Sequence, residues 1–419
     1  MEPRARKVGL GLVLLCLAGT LLVGLGVKSP CASGDWRDGR QYRRLCYSDI
    51  VPLYGTEQLT RTDDARYGIA GRLPFLDACQ NRGGAECDEY PVLTMYAMRL
   101  AAWPVRTFPG FFYSNAVLLS AAAFAITLCL YLMVGSRALY FALAPTLAIY
   151  GLMNWDLLAV ALATGATLAY MKRKNVAAGI LLGLGTAGKL YPGLLLIPLV
   201  AGRFREREPD AGIHLVWAGA AAWLAVNLPF ALLAPTGWWE FFRFNAQRAA
   251  DWDSMWFLAC RHLTGNLASC GRTGLVNVGS LAAFLAGAAV LWRWKRRRDP
   301  GFPRWTLGFP ILVVFLLTNK VYSPQYGLWL LPWFALALPD LRLFAAFEAA
   351  DVAVFVTRFK FFEGYSDLGS GMPFWAFEAA ILIRAAILVW CLVAWVRREA
   401  EASPAPGEAA QPLEAGAPA

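Results

Sequence analysis

The sequence predicts an all-α polytopic membrane protein, a bundle of about twelve transmembrane or partly spanning helices with a large first extracytoplasmic loop. Three observations predict it. Hydrophobic residues make up 58% of the 419 positions and charged residues only 16%, with a mean hydropathy of +0.45; soluble chains carry about 25% charged residues. Basic residues come in short clusters between apolar stretches, as the positive-inside rule produces. Finally, three apolar stretches are each interrupted by a polar cluster: GLMNWD (151–156), GKLYPG (188–193) and TNKVYSPQY (318–326). The net charge of +10, from 39 basic and 29 acidic residues, is explained by those clusters without any nucleic-acid partner.

Arg4, Arg6 and Lys7 precede an apolar run, 8–27, which reaches the roughly 20 residues a spanning helix needs. No small-residue cleavage site follows, so the run reads as an uncleaved helix with a cytoplasmic N-terminus. Residues 28–109 then lie outside. Residues 111–134 return to Arg137, 139–149 lead out to the first interruption, and 157–171 come back to Lys172, Arg173 and Lys174. Residues 176–187 lead out to the second interruption, and 191–201 return to Arg203, Arg205 and Arg207. One helix through 176–200 would leave one of these two basic clusters outside, so a hairpin is expected. Residues 214–234 exit to a second outside segment, 235–273, and 274–292 return to the strongest basic run, 293–298. Residues 307–317 rise to the third interruption, 326–338 descend to Asp340 and Arg342, 343–357 rise, and 375–396 end at Arg397 and Arg398. Residues 1–398 form one transmembrane domain. The Ala-, Pro- and Glu-rich tail, 399–419, is expected to be disordered in the cytoplasm.

Cys16, Cys129 and Cys391 fall in apolar runs, whereas Cys31, Cys46, Cys79, Cys87, Cys260 and Cys270 all fall in the two outside segments. An even number on the oxidising face predicts disulfides. Cys79–Cys87 and Cys260–Cys270 are the natural local pairs and leave Cys31–Cys46, though spacing does not choose among the connectivities. The spacings and the two histidines do not suit zinc, and no metal site is assigned.

Charges at bilayer depth cost about 2.5–3.5 kcal/mol each, so the interruptions are expected to line an enclosed, water-accessible site. One face holds an acid (Asp49), cations suited to a phosphate (Lys189, Lys320, Arg243, Arg248) and hydrogen-bonding groups suited to a sugar (Asn154, Asp156, Asn319, Gln325). Glu89, Tyr191 and Tyr322, from the same motifs, join the sugar- and acceptor-binding set. A carboxylate acting on a hydroxyl is general-base chemistry, and fixed cations stabilise a departing phosphate. A glycosidase would need two carboxylates across the scissile bond, and no such pair stands out.

At CYSDIVPLYG, EYPVLTMY, NWDLLAVAL, GLGTAGKLYPGLLL, FFRFNAQRAADWDSMW and NKVYSPQYGLWLLP, in that order, the chain resembles the actinobacterial integral-membrane glycosyltransferases of family 87, within the GT-C fold superfamily. The resemblance spans most of the length, from residue 8 to residue 396. It implies inverting transfer of a sugar, typically mannose, from a polyprenyl-phosphate donor to a glycolipid or glycan acceptor at the outer face of the cytoplasmic membrane. The lipid-linked sugar is then a co-substrate and no cofactor is implied. By the resemblance Asp49 takes the place of the catalytic base, and Lys189, Lys320 and Arg243 are candidates for the donor phosphate. Some mannosyltransferases of the family carry a His pair after a late Ser-Pro; here Ser323-Pro324 is followed by QYGLW, with neither His214 nor His262 nearby, which leaves the sugar open. A lipid-linked glycan ligase or polymerase shares the topology. A transporter shares the broken helices but should show paired repeats, and a non-catalytic assembly protein is the remaining reading.

Overall fold

Backbone polar groups in lipid must find partners within their own segment, and the predicted apolar stretches are accordingly helical, those at 139–149 and 326–338 in two short pieces each. The computed structural model describes residues 8–60, 71–77, 87–265, 273–366 and 368–398, and every regular element among them is helical. Arg4, Arg6, Lys7 and the tail 399–419 lie outside the described residues.

Among these residues five helices are long and apolar enough to cross a membrane: Leu10–Cys31, Phe108–Ala142, Pro209–Leu233, Thr273–Arg298 and Phe374–Arg397. Their outward faces carry Leu15, Val117, Leu233 and Trp390, all more than half exposed, which suits lipid and not water. A further long helix, Leu341–Tyr365, starts at Asp340, whose carboxylate accepts from the Arg342 and Leu343 N–H groups at 2.9 and 3.1 Å. It runs two turns past the expected end at Thr357. In those turns Arg358 pairs with Asp253, and Lys360 with Glu363 at 2.8 Å.

The short apolar runs form hairpins. Asp156–Met171 is followed by Asn175–Gly188, and the Lys189 ammonium at the end of the second meets the Asp156 carboxylate at the start of the first, 3.1 Å away. Lys189 is in extended backbone (φ −156°, ψ 139°), and Pro192–Arg205 then runs back until Arg203 Nε donates to Asn175 Oδ1 at 2.7 Å. A continuous helix through 176–200 is thereby ruled out. Arg173 pairs with Glu208, Arg304 lies within electrostatic reach of Arg205 and Arg296, and Lys295 donates to the Arg398 carbonyl. The basic clusters thus gather at one end of the bundle, while the three interruptions meet at the other.

Most residues between 307 and 338 are buried. The helix Gly308–Thr318, the 3₁₀ turn Pro324–Trp329 and the helix Leu331–Leu336 form a central pillar. Broken backbone is tolerated at such depth only where protein surrounds it.

Asn175–Gly188 packs against Pro209–Leu233 through small residues. A Cβ at Gly179 would lie 2.3 Å from the Leu215 carbonyl oxygen, and one at Gly183 would lie 2.2 Å from that of Gly219. Gly179 and Gly183, four apart, form the small-xxx-small pattern that lets two membrane helices touch backbone to backbone. Gly183→Leu should therefore destabilise the protein by about 1–3 kcal/mol or more through overpacking. The expected reading is a lower thermal midpoint in detergent, with Gly165→Ala, whose Cβ would meet only a Leu181 methyl at 3.5 Å, as the harmless control.

The predicted outside segments are partly helical, with Ile50–Thr56, Val92–Ala102, Pro235–Gln247 and Met255–Thr264 among their elements. Cys31–Cys46 is formed, with Cα atoms 5.6 Å apart. Cys87 is disulfide-bonded; Cys79, its expected partner, lies outside the described residues, as does Cys270. The expected Cys260–Cys270 bridge is corrected: Cys260 keeps a free thiol. It stands on the Met255–Thr264 helix, packed against the apolar cluster of Phe257, Leu258, Phe377 and Ile381, where it acts as a small hydrophobic group.

Candidate active site

Asp49 sits where the first outside segment meets the first interruption, and the contact is made by backbone. The Asp49 N–H donates to the Met153 carbonyl at 2.8 Å, and the Ser48 hydroxyl to that of Leu152 at 2.7 Å. From the other side, the Cys31–Cys46 bridge and the Lys28 ammonium, which donates to the Tyr47 carbonyl at 2.7 Å, tie the same strand of chain to the end of the first helix. The Asp49 carboxylate accepts from the Tyr47 hydroxyl at 2.8 Å and from Asn154 Nδ2 at 2.9 Å. Burial, and after it the neighbouring Asp49 charge, push the Tyr47 phenol well above its ordinary pKa, so it stays protonated and donates.

The Lys189 ammonium, paired with Asp156, lies 5.0 Å above the Tyr326 ring. The second Asp156 oxygen accepts from the Trp329 indole at 2.6 Å. Trp329 in turn stacks between Tyr191 and Tyr326, with centroids 4.2 and 4.1 Å away. The result is a three-ring stack at the cavity with the Lys189 cation over its Tyr326 end.

The second set of cations is organised by the DWDS turn. The Asp251 N–H donates to the Lys320 carbonyl at 2.8 Å, and the Lys320 ammonium donates to the carbonyls of Arg248 at 2.6 Å and Ala246 at 3.2 Å. The Asp251 carboxylate lies 3.8 Å from the Arg248 guanidinium and 3.5 Å from that of Arg358, and accepts from the Ser323 hydroxyl at 3.3 Å. Burial opposes its charge, but Arg358 and Arg248 outweigh burial and hold its carboxyl below the ordinary value. Asp253 pairs with Arg358, yet burial pushes its carboxyl up to about 6. The two acids of the turn are thus committed to arginines.

All of this borders one cavity of about 790 Å³. Of the residues predicted from sequence, Asp49, Glu89, Asn154, Lys189, Tyr191, Arg248, Asn319, Lys320 and Gln325 line it, and Asp156 supports it from beneath through Lys189. Two do not reach it. Arg243 points away because it stands on the helix Pro235–Gln247 with its guanidinium turned to Glu240 and Gln247, whereas Phe241, Phe244 and Asn245 of that helix face the cavity. Tyr322 is buried behind the site, its ring 3.7 Å under the Arg384 guanidinium. Sequence reasoning missed Tyr47, Tyr90, Tyr326, Trp329 and Arg358, all of which line the cavity. For Tyr47 and Tyr90 the signal lay inside CYSD and EYP, and for Arg358 in a charge one residue beyond the expected helix end.

With this geometry in hand, comparison with known proteins is specific. The model of glycosyltransferase family 87 matches residues 90–318, more than half of the chain. The chain belongs to glycosyltransferase family 87. As a family 87 member with a shell of long apolar helices, it is a membrane glycosyltransferase. No curated protein matches it. Among solved structures, the crystal structure of ArnT from Cupriavidus metallidurans bound to undecaprenyl phosphate aligns at 13% identity, covering 93% of this chain and 77% of that one with a TM-score of 0.47.

Proposed function

We propose that the protein transfers a single sugar, mannose, from a polyprenyl-phosphate donor to a lipid- or glycan-type acceptor at the outer face of the cytoplasmic membrane, with inversion. In this reading about twelve segments cross or partly cross the bilayer in a GT-C-type arrangement, and the basic end with both termini faces the cytoplasm. The observation that carries the reading is one cavity in which the Asp49 carboxylate shares the lining with Lys189, Arg248, Lys320 and Arg358.

Asp49 takes the proton of the acceptor hydroxyl while that oxygen bonds to the anomeric carbon. The bond from that carbon to the phosphate oxygen breaks, and its electron pair leaves on the lipid phosphate. The cations offset the charge that develops there. Lys189, Arg248 and Arg358 are each paired with a carboxylate, whereas Lys320 donates to backbone carbonyls, so Lys320 supplies the largest share of uncompensated positive charge. A single displacement inverts the centre. Asn319, Gln325, Glu89 and the Tyr191–Trp329–Tyr326 stack hold the sugar and acceptor, and no cofactor takes part.

The test is an in vitro assay with purified protein, polyprenyl-phosphate mannose and native lipid extract. One mannose added per acceptor supports the proposal. A multi-sugar block would move the reading to a ligase or polymerase, and solute uptake into proteoliposomes without transfer would move it to a transporter. Within that assay Lys320→Ala should raise the donor KM roughly tenfold, with a smaller change in acceptor KM, as loss of a charged hydrogen-bond donor predicts. An unchanged donor KM and rate would remove Lys320 from the phosphate site.

A further inference from the structure

Asn154 was expected from sequence to bind sugar, but its side chain is already committed. An ionised carboxylate only accepts hydrogen bonds, so the group at 2.9 Å from Asp49 Oδ2 is the amide NH₂. Its second N–H reaches the Tyr90 hydroxyl oxygen at 2.7 Å. The Asn154 carbonyl oxygen accepts from the Trp155 backbone N–H at 2.6 Å. Tyr47 holds the other carboxylate oxygen at 2.8 Å. One bond on each oxygen fixes the carboxylate plane and leaves lone pairs on both oxygens for the cavity that Asp49 lines. Because Tyr90 accepts from Asn154, its own hydroxyl proton is not used in that bond. Tyr90 lines the same cavity, and no protein acceptor takes that proton among the described residues.

We infer that Tyr47 and Asn154 are positioning residues that hold the Asp49 carboxylate in its reactive orientation, and that Asn154 leaves the Tyr90 hydroxyl as a hydrogen-bond donor to the bound sugar. The inference rests on Asp49 as general base. The ionisable groups acting on this assembly come from several elements: Lys28 from the first helix, Tyr47 beside Asp49, Tyr90 ahead of Val92–Ala102, Asp156 and Lys189 from two interruptions, and Arg358 through Tyr47.

The experiment compares Tyr47→Phe, Asn154→Ala and Tyr90→Phe with wild type and Asp49→Asn in the transfer assay across pH. Tyr47→Phe keeps the ring contacts to Trp36 and Phe359, at 5.5 and 5.1 Å, and loses only the hydroxyl, so it decides the matter if Asn154→Ala does not fold. Tyr47→Phe and Asn154→Ala should each lower kcat by about 10–100-fold through misplacement of the base, with both KM values within about threefold of wild type. The acid limb of kcat/KM should move to higher pH, because the ionised carboxylate loses a donor; a merely structural role would leave it in place. Tyr90→Phe should leave that limb unmoved and raise the KM of one substrate. If Asp49→Asn is inactive while Tyr47→Phe keeps wild-type kcat and acid limb, the positioning role is overturned and the proposed function stands. Full activity in Asp49→Asn overturns the base assignment and this inference with it. Unchanged KM values in Tyr90→Phe remove Tyr90 from the sugar site.

Discussion

Asp49→Asn should lower transfer by about 10²–10⁴-fold, the usual contribution of a positioned general base, while the protein still inserts and folds. The substitution keeps the shape of the side chain, the bond from the Asp49 N–H to the Met153 carbonyl and the neighbouring bond from the Ser48 hydroxyl to that of Leu152. It removes the charge and the ability to take a proton. One local cost is expected: Tyr47 and Asn154 both donate to this side chain, and an amide can accept fully from only one of them, worth about 1 kcal/mol. The assay is therefore paired with a thermal melt in detergent. A normal rate in a folded Asp49→Asn protein would sink the mechanism, and a lost rate with a melt close to wild type supports it.

Arg384→Met should destabilise the fold by about 3–5 kcal/mol, the penalty for stranding one member of a buried ion pair. Arg384 donates to Asp351 Oδ1 at 2.9 Å, with both side chains almost fully buried, and a second guanidinium N–H reaches the Asp253 carbonyl at 3.3 Å. It thereby joins the helix Phe374–Arg397, the helix Leu341–Tyr365 and the DWDS turn. The Asp351 carbonyl also accepts from the Tyr150 hydroxyl at 3.0 Å, so the disturbance should spread toward the first interruption. The measurement is unfolding in mild detergent, and Arg384→Met with Asp351→Leu should recover most of the loss, because no lone charge then remains. An unchanged midpoint in the single variant would show that the pair contributes nothing.

The helical bundle was legible because burial in lipid forces long apolar runs, and the interruptions were legible because charge at that depth demands an enclosed setting. That logic led to Asp49, Lys189, Lys320 and Asn154, which share one cavity. Hydropathy does not report which face of a helix turns inward. Arg243 was misjudged because the sequence showed a polar loop where an amphipathic helix stands, with Phe241 and Phe244 inward and Arg243 paired with Glu240. Cys260 was misjudged for the same reason, as its helix turns the thiol into an apolar cluster. Arg358 was missed because its neutralising partner Asp253 lies 105 residues away in sequence. Asn154 lines the cavity, but its bond to Asp49, also 105 residues distant, belongs to tertiary structure.

Asp49 is a loop residue by sequence, yet its backbone is bonded to Met153 and its carboxylate to Asn154. The carboxylate proposed as the base therefore travels with the helical body. Exchanges at Pro52, Leu53 or Thr56, which line the cavity from the same segment without bonding the Asp49 carboxylate, can reshape what enters while Asp49 keeps its anchors. If Asp49 is the base, such a division keeps the point of reaction fixed while the recognition surface around it changes.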